Sequence, residues 1–196
     1  MPHFWLVPKD QRHNNFVLRH EATKSNPVAL RERYAALQCA KCKKIDESIA
    51  IQRGIDEDVR IVARQDYVLC GDGLIAVSQR LRDLLAENNI NGVRFAPIPA
   101  SSNYFILVPA LTAPTDVETC GMEFRRRCSV CGRFRETLFF PLAASMEFPS
   151  DQRLLLASSI RFEFALGETF CFMASDYVVD ILKASKITGL EYQVVD

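Results

Sequence analysis

Residues 67–98 read YVLCGDGLIAVSQRLRDLLAENNINGVRFAPI. Two short apolar runs, 67–70 and 74–77, flank Gly71-Asp72-Gly73, which is the pattern of a β-hairpin with a tight turn. Ser78 then precedes a helical pattern. Its hydroxyl can accept a hydrogen bond from one of the N–H groups that a first helical turn leaves without a partner. Leu81, Leu84, Leu85 and Asn88 follow at three- and four-residue spacing and predict one buried helix face. Gly92 closes the connection, and VRFAPI predicts the next strand. The stretch is therefore a β-hairpin–α–β unit.

The pattern returns near the C-terminal end. Residues 174–195 align with 77–98 at a constant offset of 97, without a gap. Ser175 falls on Ser78, Asp180 on Asp83, Leu182 on Leu85, Ile187 on Ile90 and Gly189 on Gly92. Upstream, IRFEFALGETFCFM places strand-like runs on both sides of Gly167 and supplies the matching hairpin. The expectation is an α+β fold with duplicated β-hairpin–α–β units, the first at 66–98 and the second at 160–196, in a single domain 1–196. Two copies make a duplicated domain, not a solenoid.

Outside the units the signals are shorter. Residues 3–8 (HFWLVP) and 15–19 (NFVLR) read as strands by their aromatic and β-branched content. Asn26-Pro27 reads as a helix start for VALRERYAAL. Residues 43–65 are polar, with Asp56-Glu57-Asp58 as a solvated loop or a contact for a basic partner.

Composition sets the class. The 196 residues (22.2 kDa) correspond to one domain, or two small ones, and such a chain buries about 70% of its unfolded surface. Apolar and charged fractions of 48% and 24% are ordinary globular values and exclude disorder, collagen and coiled coil. The sequence contains no apolar run long enough for a membrane helix. The first residues carry no basic start with an apolar core, so no secretory signal is expected and the cytoplasm is. Lys plus Arg and Asp plus Glu are 24 each, which excludes a strongly basic nucleic-acid coat and an acidic nucleic-acid mimic.

The unusual count is seven cysteines. Four form two C-x-x-C pairs, Cys39–Cys42 and Cys128–Cys131. Cys70 and Cys171 lie in apolar strand-like runs and read as buried hydrophobes, and Cys120 reads as a free thiol in a turn. C-x-x-C on a tight turn aims two thiolates at one ion, and two such turns close a tetrahedral structural zinc site. The metal ligands expected are Cys39, Cys42, Cys128 and Cys131, with the hairpin of 120–140 pairing with 39–42. The 85 residues between Cys42 and Cys128 are tolerable because loop-closure entropy grows only logarithmically. A thioredoxin-like pair would follow a strand and open a helix, whereas Cys39 follows a helix and Cys128 sits in a hairpin.

Eight of the 24 positive charges, Lys41, Lys43, Lys44, Arg125, Arg126, Arg127, Arg133 and Arg135, lie within four positions of a pair cysteine. A zinc–tetrathiolate centre is net negative and favours cations nearby. The functional counterpart is a nucleic-acid ribbon with Phe124 and Phe134 as stacking platforms. His3, His13 and His20 have no ligand spacing, and the sequence contains no nucleophile elbow, zinc-protease, P-loop or dinucleotide fingerprint. No catalytic residue and no organic cofactor is expected.

The two pairs, Cys39-Ala-Lys-Cys42 and Cys128-Ser-Val-Cys131-Gly132-Arg133, together with the segments around Gly92 and Gly189, resemble the bacterial double-CXXCG motif proteins. That group includes immunity proteins of polymorphic and contact-dependent toxin systems. The resemblance spans roughly residues 30–196 and departs at Lys43, where the family pattern has glycine. It implies a non-enzymatic cytoplasmic protein that binds and blocks a cognate toxin, with structural Zn2+ holding the scaffold. It implies neither a membrane nor a small-molecule substrate. A zinc-ribbon nucleic-acid-binding or transcription accessory protein is the alternative.

Overall fold

The computed structural model describes residues 3–9, 15–20, 29–114, 123–138, 152–164 and 167–195. Its elements in order are β1 (His3–Pro8), α1 (Glu32–Ala35), α2 (Glu47–Gln52), β2 (Tyr67–Leu69), β3 (Ile75–Ser78), α3 (Gln79–Glu87), β4 (Val93–Pro97), β5 (Tyr104–Pro109), β6 (Thr112–Ala113), β7 (Glu123–Arg127), β8 (Phe134–Leu138), β9 (Leu155–Phe164), β10 (Gly167–Ser175), α4 (Asp176–Ala184) and β11 (Leu190–Val195). The chain is mixed α+β. One sheet has the order β2-β3-β5-β4, a second β11-β1-β10-β9-β6, and β7-β8 is a separate ribbon.

The strands β2, β3 and β5 bury both faces, which explains their nearly continuous apolar sequence. Leu69, Ile75, Val77 and Leu107 of the first sheet meet Leu6, Leu155, Phe172 and Ala174 of the second in one shared core. Both longer helices add to it, through Leu81 and Leu85 of α3 and Val178, Val179 and Leu182 of α4. The outer face of the first sheet (Val68, Cys70, Ala76, Ile106) packs on Val17, Leu18, Tyr34, Ile45 and Val59. The outer face of the second gathers Trp5, Leu156, Phe162 and Met173.

Residues 97 apart make matching hydrogen bonds around α3 and α4. Ser78 Oγ accepts from Leu81 N (3.2 Å), and Ser175 Oγ accepts from Val178 N (3.3 Å). Both helices end in a left-handed residue, Asn89 (φ +54°) or Lys186 (φ +51°). Ile90 N then donates to Leu85 O and Ile187 N to Leu182 O, closing two Schellman motifs. The connectors cross over. Leu155 N at the start of β9 donates to Asn91 O, and Tyr67 N at the start of β2 donates to Thr188 O. Gly92 and Gly189 allow this approach, since a Cβ on either would lie 2.3 Å from the carbonyl oxygen of Leu155 or Tyr67.

Strand β1 fills the place in the second sheet that β5 fills in the first. Phe105 pairs with Val77 and Pro97, while Phe4 pairs with Ala174 and Val194. Residues 3–8 (HFWLVP) thus stand where 104–109 (YFILVP) stand in the other sheet.

Several expectations need correction. Residues 15–19 form no strand, only an Arg19–Leu30 bridge, because the buried Asp72 carboxylate takes the N–H groups of Val17 (2.9 Å) and Leu18 (2.6 Å). The helix expected through residue 37 is the single turn α1. The polar stretch 43–65 contains α2, capped by Asp46, whose carboxylate accepts from Ser48 N and Ile49 N. Leu84 is half-buried, and Asn88 caps the end of α3 by donating to Leu84 O (2.8 Å). The hairpin preceding α4 begins at Leu155, not 160. Asn26-Pro27, His13, Cys120 and residues 139–140 lie outside the described residues.

Candidate metal centre

Two six-residue turns of the same build face each other. In the first, Cys39 N donates to Lys44 O (2.8 Å) and Lys43 N to Cys39 O (2.9 Å). In the second, Cys128 N donates to Arg133 O (2.8 Å) and Gly132 N to Cys128 O (2.9 Å). Each is closed by an antiparallel pair, Gln38 with Ile45 and Arg127 with Phe134. Gly132 has φ +73°, and Lys43 takes the same conformation at φ +64°. The absent glycine of the first pair thus leaves the turn intact, at the cost of a side chain in a left-handed position.

The four sulfur atoms converge. Cys39 and Cys128 Sγ are 3.9 Å apart, Cys42 and Cys131 Sγ 3.4 Å, and all four lie within 4.8 Å of one another. Disulfides need about 2.05 Å, and all four cysteines are free. A tetrahedron with metal–sulfur bonds of about 2.3 Å has edges of about 3.8 Å, so the donor set fits one ion. Cys128 is buried, Cys39 and Cys42 are half-buried, and Cys131 faces solvent.

Backbone amides prepare two of the sulfurs for charge. N–H groups of Cys42 and Lys41 aim at Cys39 and lower its pKa. Those of Cys131 and Val130 aim at Cys128 and bring it down to about 6. Burial instead pushes Cys42 up to about 12, although the Lys44 N–H opposes it. A cation would bring all four to the thiolate state. Cys70 is fully buried and Cys171 half-buried, and burial raises both thiols, Cys171 to about 12. Neither belongs to the cluster.

A second layer ties the turns to the sheets. Lys44 and Arg133, the sixth residue of each turn, both reach Glu168 of β10, Arg133 at 2.8 Å. Arg133 also meets Glu47 of α2 at 3.1 Å, and Arg161 of β9 pairs with the same carboxylate. Lys44 Nζ donates to Phe134 O (2.8 Å), and Arg133 to Ile45 O (2.5 Å), so each turn holds the backbone that leaves the other. Burial raises the Glu47 pKa, with Arg161 and Arg133 pulling it back. Sequence reading missed Glu47, Arg161 and Glu168, because their partners come from four separate elements.

The remaining expected cations stay on the surface. Lys41, Lys43, Arg125, Arg126, Arg127 and Arg135 are exposed. Phe124 and Phe134, the expected stacking platforms, are half-buried against each other with ring centres 5.0 Å apart. Asp58 pairs with Arg31 (2.6 Å) and Asp56 with Arg33 (3.0 Å), so two of the three acidic loop residues are engaged within the chain.

Among the described residues no helix is long and apolar enough to cross a membrane. No protein-family model matches this chain. The curated proteins return no significant match.

Proposed function

We propose that Cys39, Cys42, Cys128 and Cys131 hold one structural zinc ion, and that the protein is a non-enzymatic cytoplasmic immunity protein that binds and neutralises a cognate bacterial toxin. The carrying observation is the convergence of four sulfurs from two matching turns. Four thiolates fill a zinc shell, whereas catalytic zinc keeps a position open for water or substrate. A closed site suits a clamp, and a clamped scaffold suits a binding protein. The toxin partner itself rests on the resemblance of the two cysteine pairs and the helix–glycine–strand segments.

The scaffold in this proposal is a single domain built on a duplicated β-hairpin–α–β unit. The matching caps, Schellman motifs and crossed connectors support it. So does the shared pattern of residues 3–8 and 104–109, which makes β1 the closing strand of the second unit.

Gene neighbourhood supplies the test. The purified protein should bind the product of an adjacent toxin gene one to one and protect cells from it. Failure of both binding and protection overturns the immunity function. The basic ribbon favours a second function, in nucleic-acid or transcription work, which requires salt-sensitive retention on heparin or oligonucleotides; no retention at low salt removes it.

A further inference from the structure

The chain is neutral only as a sum. Residues 39–44 and 123–138 carry eight Lys and Arg against two Glu, so the rest carries 16 against 22. Structure concentrates this bias, because the two segments form one head around the cysteine cluster. Lys44 and Arg133 turn inward to Glu168. Lys41, Lys43, Arg125, Arg126, Arg127 and Arg135 remain exposed. At the tip of the second turn Val130 is 64% exposed, an apolar side chain set among these cations.

We propose that this head is a docking surface for the acidic face of a protein partner, with Val130 as its apolar anchor. The inference deepens the immunity reading and rests on it for the need of a partner. Charge complementarity selects the occupant. A nucleic acid fits less well, for three reasons. Glu123 and Glu136 interrupt the cationic track beside Arg125 and Arg126. Phe124 and Phe134 are half-buried and tilted against each other, which limits the ring face they can offer to bases. The acidic remainder of the chain repels an extended polyanion. The turns also preorganise the surface, since Lys41 donates to Ser129 Oγ (2.9 Å) and Arg135 to Lys41 O (3.1 Å) across the two segments. Less side-chain freedom is then lost on docking.

The experiment is fluorescence anisotropy at low salt with two labelled probes, a 20-residue peptide of alternating Glu and Leu and a single-stranded oligonucleotide of equal charge. The full-length metal-loaded protein should bind the peptide, and added salt should weaken it. Lys43→Glu with Arg126→Glu should weaken it at least tenfold and Val130→Asp severalfold, each variant retaining its metal, while Glu87→Lys on α3 should have no such effect. No peptide binding, equal binding by the head variants, tighter binding of the oligonucleotide, or self-association through the head in light scattering would each overturn the proposal. The toxin assay separates the two ideas. If the toxin binds the head variants with unchanged affinity, the docking surface falls and the immunity reading stands. If the peptide binds as described and the neighbouring toxin does not, the immunity reading falls alone.

Discussion

Lys43 and Gly132 occupy the same left-handed position, one residue after the second cysteine of each turn, at φ +64° and +73°. A side chain there costs about 1–2 kcal/mol, and glycine returns part of that through its freer unfolded chain. Lys43→Gly should therefore raise stability by up to about 1 kcal/mol and keep the metal. Gly132→Ala should cost about 1 kcal/mol from backbone strain alone, because the nearest atom to a new Cβ is Arg127 Nη2 at 3.8 Å. Urea unfolding of the loaded protein measures both, and metal loss on Lys43→Gly would contradict the matched-turn geometry.

Elemental analysis should find about one zinc per chain. Cys128→Ser should lose it, and a strong chelator should expose the ribbon to limited proteolysis, because binding energy at such a site is also folding energy. A fully stable, metal-free purified protein would refute the clamp.

The carboxylates of Glu47 and Glu168, paired with Arg133, Arg161 and Lys44, should matter to the centre although neither belongs to the cysteine cluster. Glu168→Ala leaves Lys44 and Arg133 without a carboxylate they share. Breaking a buried pair from one side costs about 3–5 kcal/mol. The midpoint in urea should fall accordingly, and metal should be released at lower chelator concentration, since both turns lose their anchor. Glu168→Ala with unchanged chelator sensitivity would separate the network from the cysteines.

Asp66 gives the fold a pH dependence. Its carboxylate accepts from Thr188 N (2.9 Å), Thr188 Oγ1 (2.9 Å) and Ser78 Oγ (2.7 Å). Burial works to raise its pKa, but these bonds outweigh it and hold the group below the ordinary carboxylate value. The stability it confers is complete at neutral pH and is lost as pH falls through the depressed value. Asp66→Ala should cost about 2–3 kcal/mol at pH 7, with the gap to wild type closing in strong acid. A gap that is constant down to pH 3 would argue against a charged Asp66.

Leu6→Ala and Leu107→Ala should behave alike. Both leucines project into the shared core from equivalent strand positions. Each should cost about 2–5 kcal/mol, the range for a buried leucine. A large difference between them would show that the two sheets close with different cooperativity.

Local chemistry was the most readable part of the sequence. Ser78, Ser175, Gly92 and Gly189 each act through neighbours a few residues away, so spacing alone located both helices and their exits. Likewise C-x-x-C encodes a turn within itself. Long-range substitutions for local order were harder. Val17 and Leu18 carry strand-like side chains, yet their backbone donors are taken by Asp72, over fifty residues away. The match of Phe4-Trp-Leu-Val-Pro8 to Phe105-Ile-Leu-Val-Pro109 is visible in the letters. It escapes a gap-free alignment because β5 follows both strands it pairs with, while β1 precedes both of its own. Glu168, one residue past the Gly167 of the expected hairpin, becomes important only when Lys44 and Arg133 of the two turns meet it.

That position of β1 has a consequence for biosynthesis. The strand leaves the ribosome before any other described element, but its two neighbours, β10 and β11, come after β2 through β9 have been made. At about 5–20 residues per second, an apolar segment bearing Trp5 and Leu6 waits on the order of ten seconds or more for its sheet. During that interval the first sheet, complete at β5, can already form and offer Leu107 and Val77 as a template surface. The nascent chain therefore has a period of exposure in which a chaperone that shields its leading strand would raise the yield of native protein.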